Sequence, residues 1–412
     1  MAYEFDTQGE QRLQEYISRI GRILRHKTKK EAFAQYTIGL MSELERKSVE
    51  PIAALVAADE DKADAMHQRL LHFVSNALWG DREVRLSAAS YAIEEMTKRE
   101  DMRVWIIDDT GFLKQGEHSV GVQRQYTGSA GKITNCQVAV SLSAATATAH
   151  LLVDFELYLP KEWASDKARR RQAKIPDEVV FKTKPELALE MITRAAGADI
   201  PGEVVLADAA YGDSVAFRST VRLVGFDYAV GVSCTTTVLC VDEQGQSSGK
   251  AVSAKSLAKG LPESAFERIT WRQGSKDRLS ARFVFVRVRV PAEKLDGQAG
   301  PVQWLIVEWR DDDKAPEHFV LTTLGVDGKM SKEEIVRLFK ERYRTEQLYS
   351  ELKGEVGLDH FEGRSFIGWH HHVTVVLCCY AFVVAERALH GLPSTATKPQ
   401  GLSDPRPLLL AA

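Results

Sequence analysis

Arg342, Glu346 and Lys353 stand in the run RYRTEQLYSELK, the second and third at offsets of four and eleven from the first. On an α-helix, at about 100° per residue, those offsets put all three within about 40° of arc, with Phe339 close beside them. One acid is thereby flanked by two bases on one face. Two more acids close apolar runs, VWII leading into Asp108 and VVLA into Asp208. Clustered carboxylates repel and raise one another's pKa unless divalent cations reverse the local charge, and hard, oxygen-seeking Mg2+ is the natural partner. Two such ions about 3.5 to 4 Å apart activate a water or a 3′-hydroxyl on one side and stabilise the leaving oxygen on the other. The chemistry indicated is phosphodiester cleavage or transfer on nucleic acid, with no covalent protein nucleophile. A plainer account competes with it: strand-end aspartates often cap turns, and Arg342 can pair with Glu346 at i,i+4 for a few tenths of a kcal/mol.

The neighbouring acids are sorted by direction. Consecutive strand residues face opposite ways, so only one of Asp108 and Asp109 can face a site, and the other is expected to hydrogen-bond the turn at Thr110. On the helix, Glu351 projects about 140° from Glu346 and Glu355 about 180° away, which leaves Glu346 as the third acid.

These residues need elements to carry them. Residues 1–95 read as helical, with Leu13, Ile17, Ile20 and Leu24 spaced for one apolar face, and form an expected N-terminal helical domain for DNA binding or dimerisation. After residue 100 the period changes. Strands are expected at 104–108, 133–142 and 149–159, a helix at about 184–196, a strand at 204–208, a helix near 214–224 and a strand at 227–232. Three strands, helix, strand, helix, strand is the order of a ribonuclease-H-like (retroviral-integrase-like) α/β core, here covering 96–234. Residues 235–324 read as a β-rich insertion, with Val284, Val286 and Val288 alternating against Arg287 and Arg289. The second part of the core, 325–390, holds the helix bearing Glu346, which starts near Lys332 behind a capping box of Ser331 and Glu334. A tail, 391–412, is expected to be disordered.

Composition sets limits. The 412 residues are 44% hydrophobic and 27% charged, enough for more than one core, and a net charge of −3 leaves any DNA affinity to local patches. Five cysteines without a CxxC pair give no readable zinc site and favour a reducing, cytoplasmic home. The uncharged run 373–385 is too short to span a bilayer and reads as a buried helix, so no membrane partner is expected. His370, His371 and His372 point about 100° apart on a helix and cannot share one ion.

Phe339, Arg342, Glu346 and Lys353 also match, position for position, a Tyr-x2-Arg-x3-Glu-x6-Lys signature, and here the chain resembles the DDE transposases of bacterial insertion sequences. Phenylalanine replaces the signature tyrosine and removes one hydroxyl. The resemblance extends through IDDTGFLKQGEHSVGVQRQYTGSAGKITNCQVAVS, PKEWASDKARRRQAKIP, LADAAYGD and LKGEVGLDHFEGRSFIGWHHH, roughly residues 35 to 390. It implies that Asp108, Asp208 and Glu346 are the catalytic metal ligands for two Mg2+ ions, with Mn2+ as a substitute. It also implies that Arg342 and Lys353 contact DNA phosphates. The basic run from Lys161 to Lys174, with Arg169, Arg170 and Arg171, and the residues Lys114, Arg124 and Lys132 are further candidates for phosphate contact, against the commoner reading of a solvated loop. Trp271 is a candidate for stacking on an unpaired base, against an ordinary core role.

The implied function is a transposase that binds terminal inverted repeats, hydrolyses the strand ends and transfers the 3′-hydroxyls to target DNA, as a homodimer on DNA. The rivals are a catalytically inactive DNA-binding regulator derived from such an enzyme, and a ribonuclease-H-like nuclease without strand transfer.

Overall fold

A computed structural model describes residues 7–247, 249–273, 278–295 and 298–393. Most of the tail expected to be disordered lies outside these residues. The chain opens with α1 (Thr7–Gly21), α2 (Lys27–Met41), α3 (Val49–Val56), α4 (Ala63–Ser75) and α5 (Asp81–Met96). Leu13, Ile17, Ile20 and Leu24 are all buried, as their spacing requires.

The sheet begins with β1 (Val104–Leu113), β2 (Gln123–Thr127), β3 (Lys132–Ala145) and β4 (His150–Leu157). Next come α6 (Lys161–Ser165), α7 (Lys167–Gln172), α8 (Lys184–Gly197), β5 (Val204–Ala207), α9 (Ala209–Gly212), α10 (Val215–Leu223) and β6 (Asp227–Val232). β3 pairs antiparallel with β1 on one side and with β4 and β2 on the other, while β5 and β6 continue parallel beyond β1. The order β4, β3, β1, β5, β6 is therefore a mixed sheet with its parallel strands at the centre.

Residues 235–324 do not fold apart from this sheet. Their strands are β7 (Thr237–Cys240), β8 (Val252–Ser253), β9 (Glu267–Gln273), β10 (Arg278–Arg289), the ribbon β11 (Lys294–Leu295) and β12 (Gln298–Ala299), β13 (Gln303–Trp309) and β14 (His318–Thr322), with α11 (Ala254–Gly260) between β8 and β9. β14 lies antiparallel against β6, Phe319 opposite Val232, and so joins β13, β10 and their neighbours to the central strands. The chain closes with α12 (Lys332–Lys340), α13 (Arg344–Val356) and α14 (Phe366–Leu389).

Two apolar layers hold the sheet. Trp105, Ile107, Val205 and Ala207 enter the main core, whereas Val104, Ile106, Val204, Leu206 and Phe283 face a second core closed by Ile335 and Val336 of α12. α14 is long and apolar enough to cross a membrane by composition, yet its apolar window is 89% buried inside the protein. Tyr16 of α1 donates to Cys378 O at 2.8 Å, and Tyr36 of α2 bonds His372 Nδ1, so α14 is the post around which the N-terminal helices pack. The three histidines are spent internally: His370 Nδ1 pairs with Phe366 O, His371 Nδ1 with Val74 O and His372 Nε2 with Gly357 O.

Three local expectations are corrected. β1 does not stop at Asp108, because β3 stays paired with it as far as Leu113 opposite Cys136 after β5 has ended. β2 escaped notice because QRQYT is a polar edge strand. The helix expected to run from Lys332 through Glu346 is two helices, broken by a 3-10 turn at Glu341–Tyr343, although the capping box of Ser331 and Glu334 is present.

Candidate active site

β1 and β5 run parallel with Ile106 opposite Leu206 as their last pair, so Asp108 and Asp208 follow two residues later at the same level. The alternation that puts Val104 and Ile106, Val204 and Leu206 into the second core puts both aspartates on that same face, just past the apolar stripe. Asp208 keeps extended backbone, φ −85° and ψ −175°, and caps α9 by accepting from Ala210 N–H at 2.9 Å. The strand end thus becomes a helix start, and the two acids meet at the carboxyl edge of the central strands, where open α/β sheets hold their sites.

Asp108 is buried. Its Oδ1 accepts from the Asp109 N–H at 2.9 Å and its Oδ2 from Arg342 Nη1 at 3.0 Å. Burial pushes its pKa up to about 7; Arg342 and the Asp109 N–H oppose that rise, while Asp208 and Asp109 add to it. Asp208 is raised as well, first by burial and then by Asp109, with Arg342 again opposing. Arg342 is therefore the cation common to both aspartates. Asp109 faces the other side of the sheet, where it pairs with Lys184 of α8 at 3.0 Å and accepts from Tyr211 Oη at 3.2 Å. It does not bond a turn at Thr110, since Thr110 lies within β1.

Glu346 sits exposed in the first turn of α13 and lines a cavity of about 560 Å³ together with Asp208, Arg342, Phe339, Tyr343 and Lys340. Asp208 and Glu346 thus share one cavity, and Asp108, which is not in its lining, is joined to it through Arg342. The structure does not close the three acids into a ligand set: among the described residues no three acidic, histidine or cysteine side chains are grouped tightly enough to hold a metal.

The remaining candidates divide. Lys353 turns inward, donating to Thr110 Oγ1 at 2.9 Å and to Gly111 O at 2.8 Å. Lys114 donates to Phe361 O at 3.1 Å. The stretch 161–174 is not a loop but is made mostly of α6 and α7, and Arg170 is spent on the carbonyls of Pro176 and Val179 at 2.7 Å each. Arg169 lies over the Trp163 ring at 4.6 Å, whereas Arg124, Lys132 and Arg171 are exposed. Trp271 packs edge-on against Phe283, with Lys340 Nζ 4.6 Å from its ring centre, and the aromatic side chains that line the cavity are Phe319, Phe339 and Tyr343.

Sequence reasoning passed over Arg344, Tyr349 and Lys184. Arg344 is buried and donates to Thr146 O and Ala149 O, and Tyr349 Oη bonds Ser141 Oγ at 2.5 Å. Helical spacing shows which residues share a face but not what lies opposite them. The only available signal was that arginine and tyrosine sit on the apolar side of α13.

A family model described as DDE superfamily endonuclease matches residues 19–278, a span that includes Asp108 and Asp208 and ends before Glu346. The chain is 25% identical over 337 residues to a probable transposase for insertion sequence element IS701 from Microchaete diplosiphon, covering 80% of this chain and 76% of that protein. A cryo-EM structure of a piggyBac transposase synaptic complex with hairpin DNA aligns with a TM-score of 0.43 and 10% identity, over all of this chain and 80% of that one. With the family match spanning more than half its length, the chain belongs to the DDE superfamily endonucleases.

Proposed function

We propose that this endonuclease is an insertion-sequence transposase with a ribonuclease-H-like core, which cleaves DNA at the ends of its element and joins the freed 3′-hydroxyls to a target. The observation that carries the reading is the level placement of Asp108 and Asp208 on one face of the central parallel strands, with Arg342 bonded to Asp108 and lining one cavity with Asp208 and Glu346. The relative named a probable transposase supports it.

The donor chemistry of the acids fits divalent cations. Both aspartates are hard oxygen donors whose ionisation is held back by burial and by neighbouring carboxylates, a strain that a divalent ion relieves. Asp108, Asp208 and Glu346 would hold the two Mg2+ ions, which when bound supply an activated water or hydroxyl and neutralise charge on the leaving oxygen. Arg342 balances Asp108 in the present structure, and once relieved of that carboxylate its guanidinium is free to take a backbone phosphate. Exposed Arg124, Lys132 and Arg171 add sequence-independent attraction for the duplex. Two ends must be held together for transfer, which calls for a homodimer on DNA.

The test is cleavage of duplexes carrying the element's ends. Asp108→Ala, Asp208→Ala and Glu346→Ala should each fall below about 1% of wild-type cutting while still binding the ends. Wild-type cutting by any of them removes that acid from the set. Precleaved ends then separate a transposase, which joins them to a target plasmid, from a nuclease, which does not.

A further inference from the structure

Of the two aspartates in IDDT, Asp108 faces the site and Asp109 faces the other side of the sheet. Asp109 is largely buried there, where its Oδ2 accepts from Tyr211 Oη of α9 at 3.2 Å and from Lys184 Nζ of α8 at 3.0 Å. Its own peptide N–H donates to Asp108 Oδ1 at 2.9 Å. One residue thus touches the first acid through its backbone and the element carrying the second through its side chain.

These bonds lie where the sheet has stopped holding the two acids together. The ladder between β1 and β5 ends at Ile106 and Leu206, so no strand pairing fixes the distance from Asp108 to Asp208. α9 takes over at that point. Asp208 caps it, Tyr211 returns its N–H to Asp208 O at 3.2 Å, and the tyrosine ring is fully buried beneath. The Tyr211 hydroxyl then reaches across to β1. A closed path results: Asp108 to Asp109 through a peptide N–H, Asp109 to Tyr211 through a hydroxyl, and Tyr211 to Asp208 through a single helical turn.

We propose that Asp109 is a positioning residue which, through Tyr211, fixes the separation of Asp108 and Asp208, with Lys184 balancing its charge. The inference rests on the reading of those two aspartates as metal ligands. Metal ions held between carboxylates need that separation set closely, since their oxygen ligands must sit within about 0.2 Å of the preferred length. A group behind the ligands can do this without touching the ions.

The test uses the full chain, with Mn2+ binding followed by electron paramagnetic resonance without DNA and urea denaturation of the same variants. Asp109→Ala removes both the acceptor and the charge and should weaken Mn2+ binding about tenfold. Asp109→Asn keeps an acceptor for Tyr211 without the charge, and should recover most of that loss. Tyr211→Phe removes one hydroxyl and should weaken Mn2+ binding about as much as Asp109→Ala. The two combined should bind no worse than Asp109→Ala alone, because both cut the same path. If Asp109→Ala does not fold, Asp109→Asn and Tyr211→Phe carry the comparison between them. Asp109→Asn binding Mn2+ as weakly as Asp109→Ala or Tyr211→Phe would mean that only its charge matters. Wild-type affinity in Tyr211→Phe, with or without a lower urea midpoint, would mean that the hydroxyl serves the fold alone. Either result overturns the proposal. Wild-type Mn2+ affinity in Asp108→Ala and Asp208→Ala would instead sink the ligand assignment, and the proposal with it.

Discussion

Asp108 keeps its proton up to about pH 7 in the folded chain, against about 3.9 for an unhindered aspartate. Between those values the folded state holds a proton that the unfolded chain has released, so this group's effect is to lower stability as pH rises from about 4 to about 7. The penalty is fully present above pH 7 and amounts to at most about 4 kcal/mol. Asp108→Asn removes the charge and keeps the shape. Without divalent ions the variant should therefore melt above wild type at pH 7.5, with the gap closing toward pH 4; a gap independent of pH would contradict the buried, crowded carboxylate. Mn2+ added at pH 7.5 should raise the Tm of wild type far more than that of Asp108→Asn. At this scale the placement of Asp108 and Asp208 was legible from the sequence, because apolar runs closed by aspartate announce the strands that carry them. The partners of the cations were not legible: nothing in RYRTEQLYSELK says that Arg342 meets Asp108 while Lys353 meets the backbone of β1.

The elements around Asp208 depend on a close approach that only glycine permits. A Cβ on Gly212 of α9 would lie 1.9 Å from Gly231 O of β6, and a backbone oxygen in a paired strand cannot give way. Gly212→Ala should push α9 off β6 and carry its cap, Asp208, with it, at a cost of about 1 to 3 kcal/mol. Urea denaturation would register the loss, and Mn2+ binding should fall more steeply than stability if Asp208 moves; a variant with wild-type values in both would show that the turn adapts. Elements announced by local chemistry were readable in advance, α8 from its apolar period and α12 from the capping box of Ser331 and Glu334. The break between α12 and α13 was not, since Glu341, Arg342 and Tyr343 include neither proline nor glycine. What tightens that turn is the set of tertiary ties at Asp108 and at the β3–β4 turn.

Across the whole molecule, the helices before residue 97 and the sheet after residue 103 share buried charge as well as apolar surface. Arg85 of α5 is 1% exposed and pairs with Asp81 at 2.6 Å, Asp154 at 3.0 Å and Glu156 at 3.3 Å, while Arg194 of α8 holds the same Asp154 at 2.7 Å. Such joins, like the seam between β6 and β14 that makes the insertion part of the central sheet, connect residues far apart in the chain, so no local pattern reveals them. Their consequence is cooperative. Removing one partner of a buried ion cluster leaves the opposite charges uncompensated, which costs about 3 to 5 kcal/mol, lessened here because Arg82 and Arg194 still face Glu156. Arg85→Met should therefore lower the urea midpoint while far-UV circular dichroism and tryptophan fluorescence continue to move together. The N-terminal helices and the sheet would then be one folding unit, with α14 and this ion cluster as its joints. If the helical signal were instead lost first in Arg85→Met, at a midpoint well below that of the fluorescence change, the N-terminal helices would be a separate unit resting on the core.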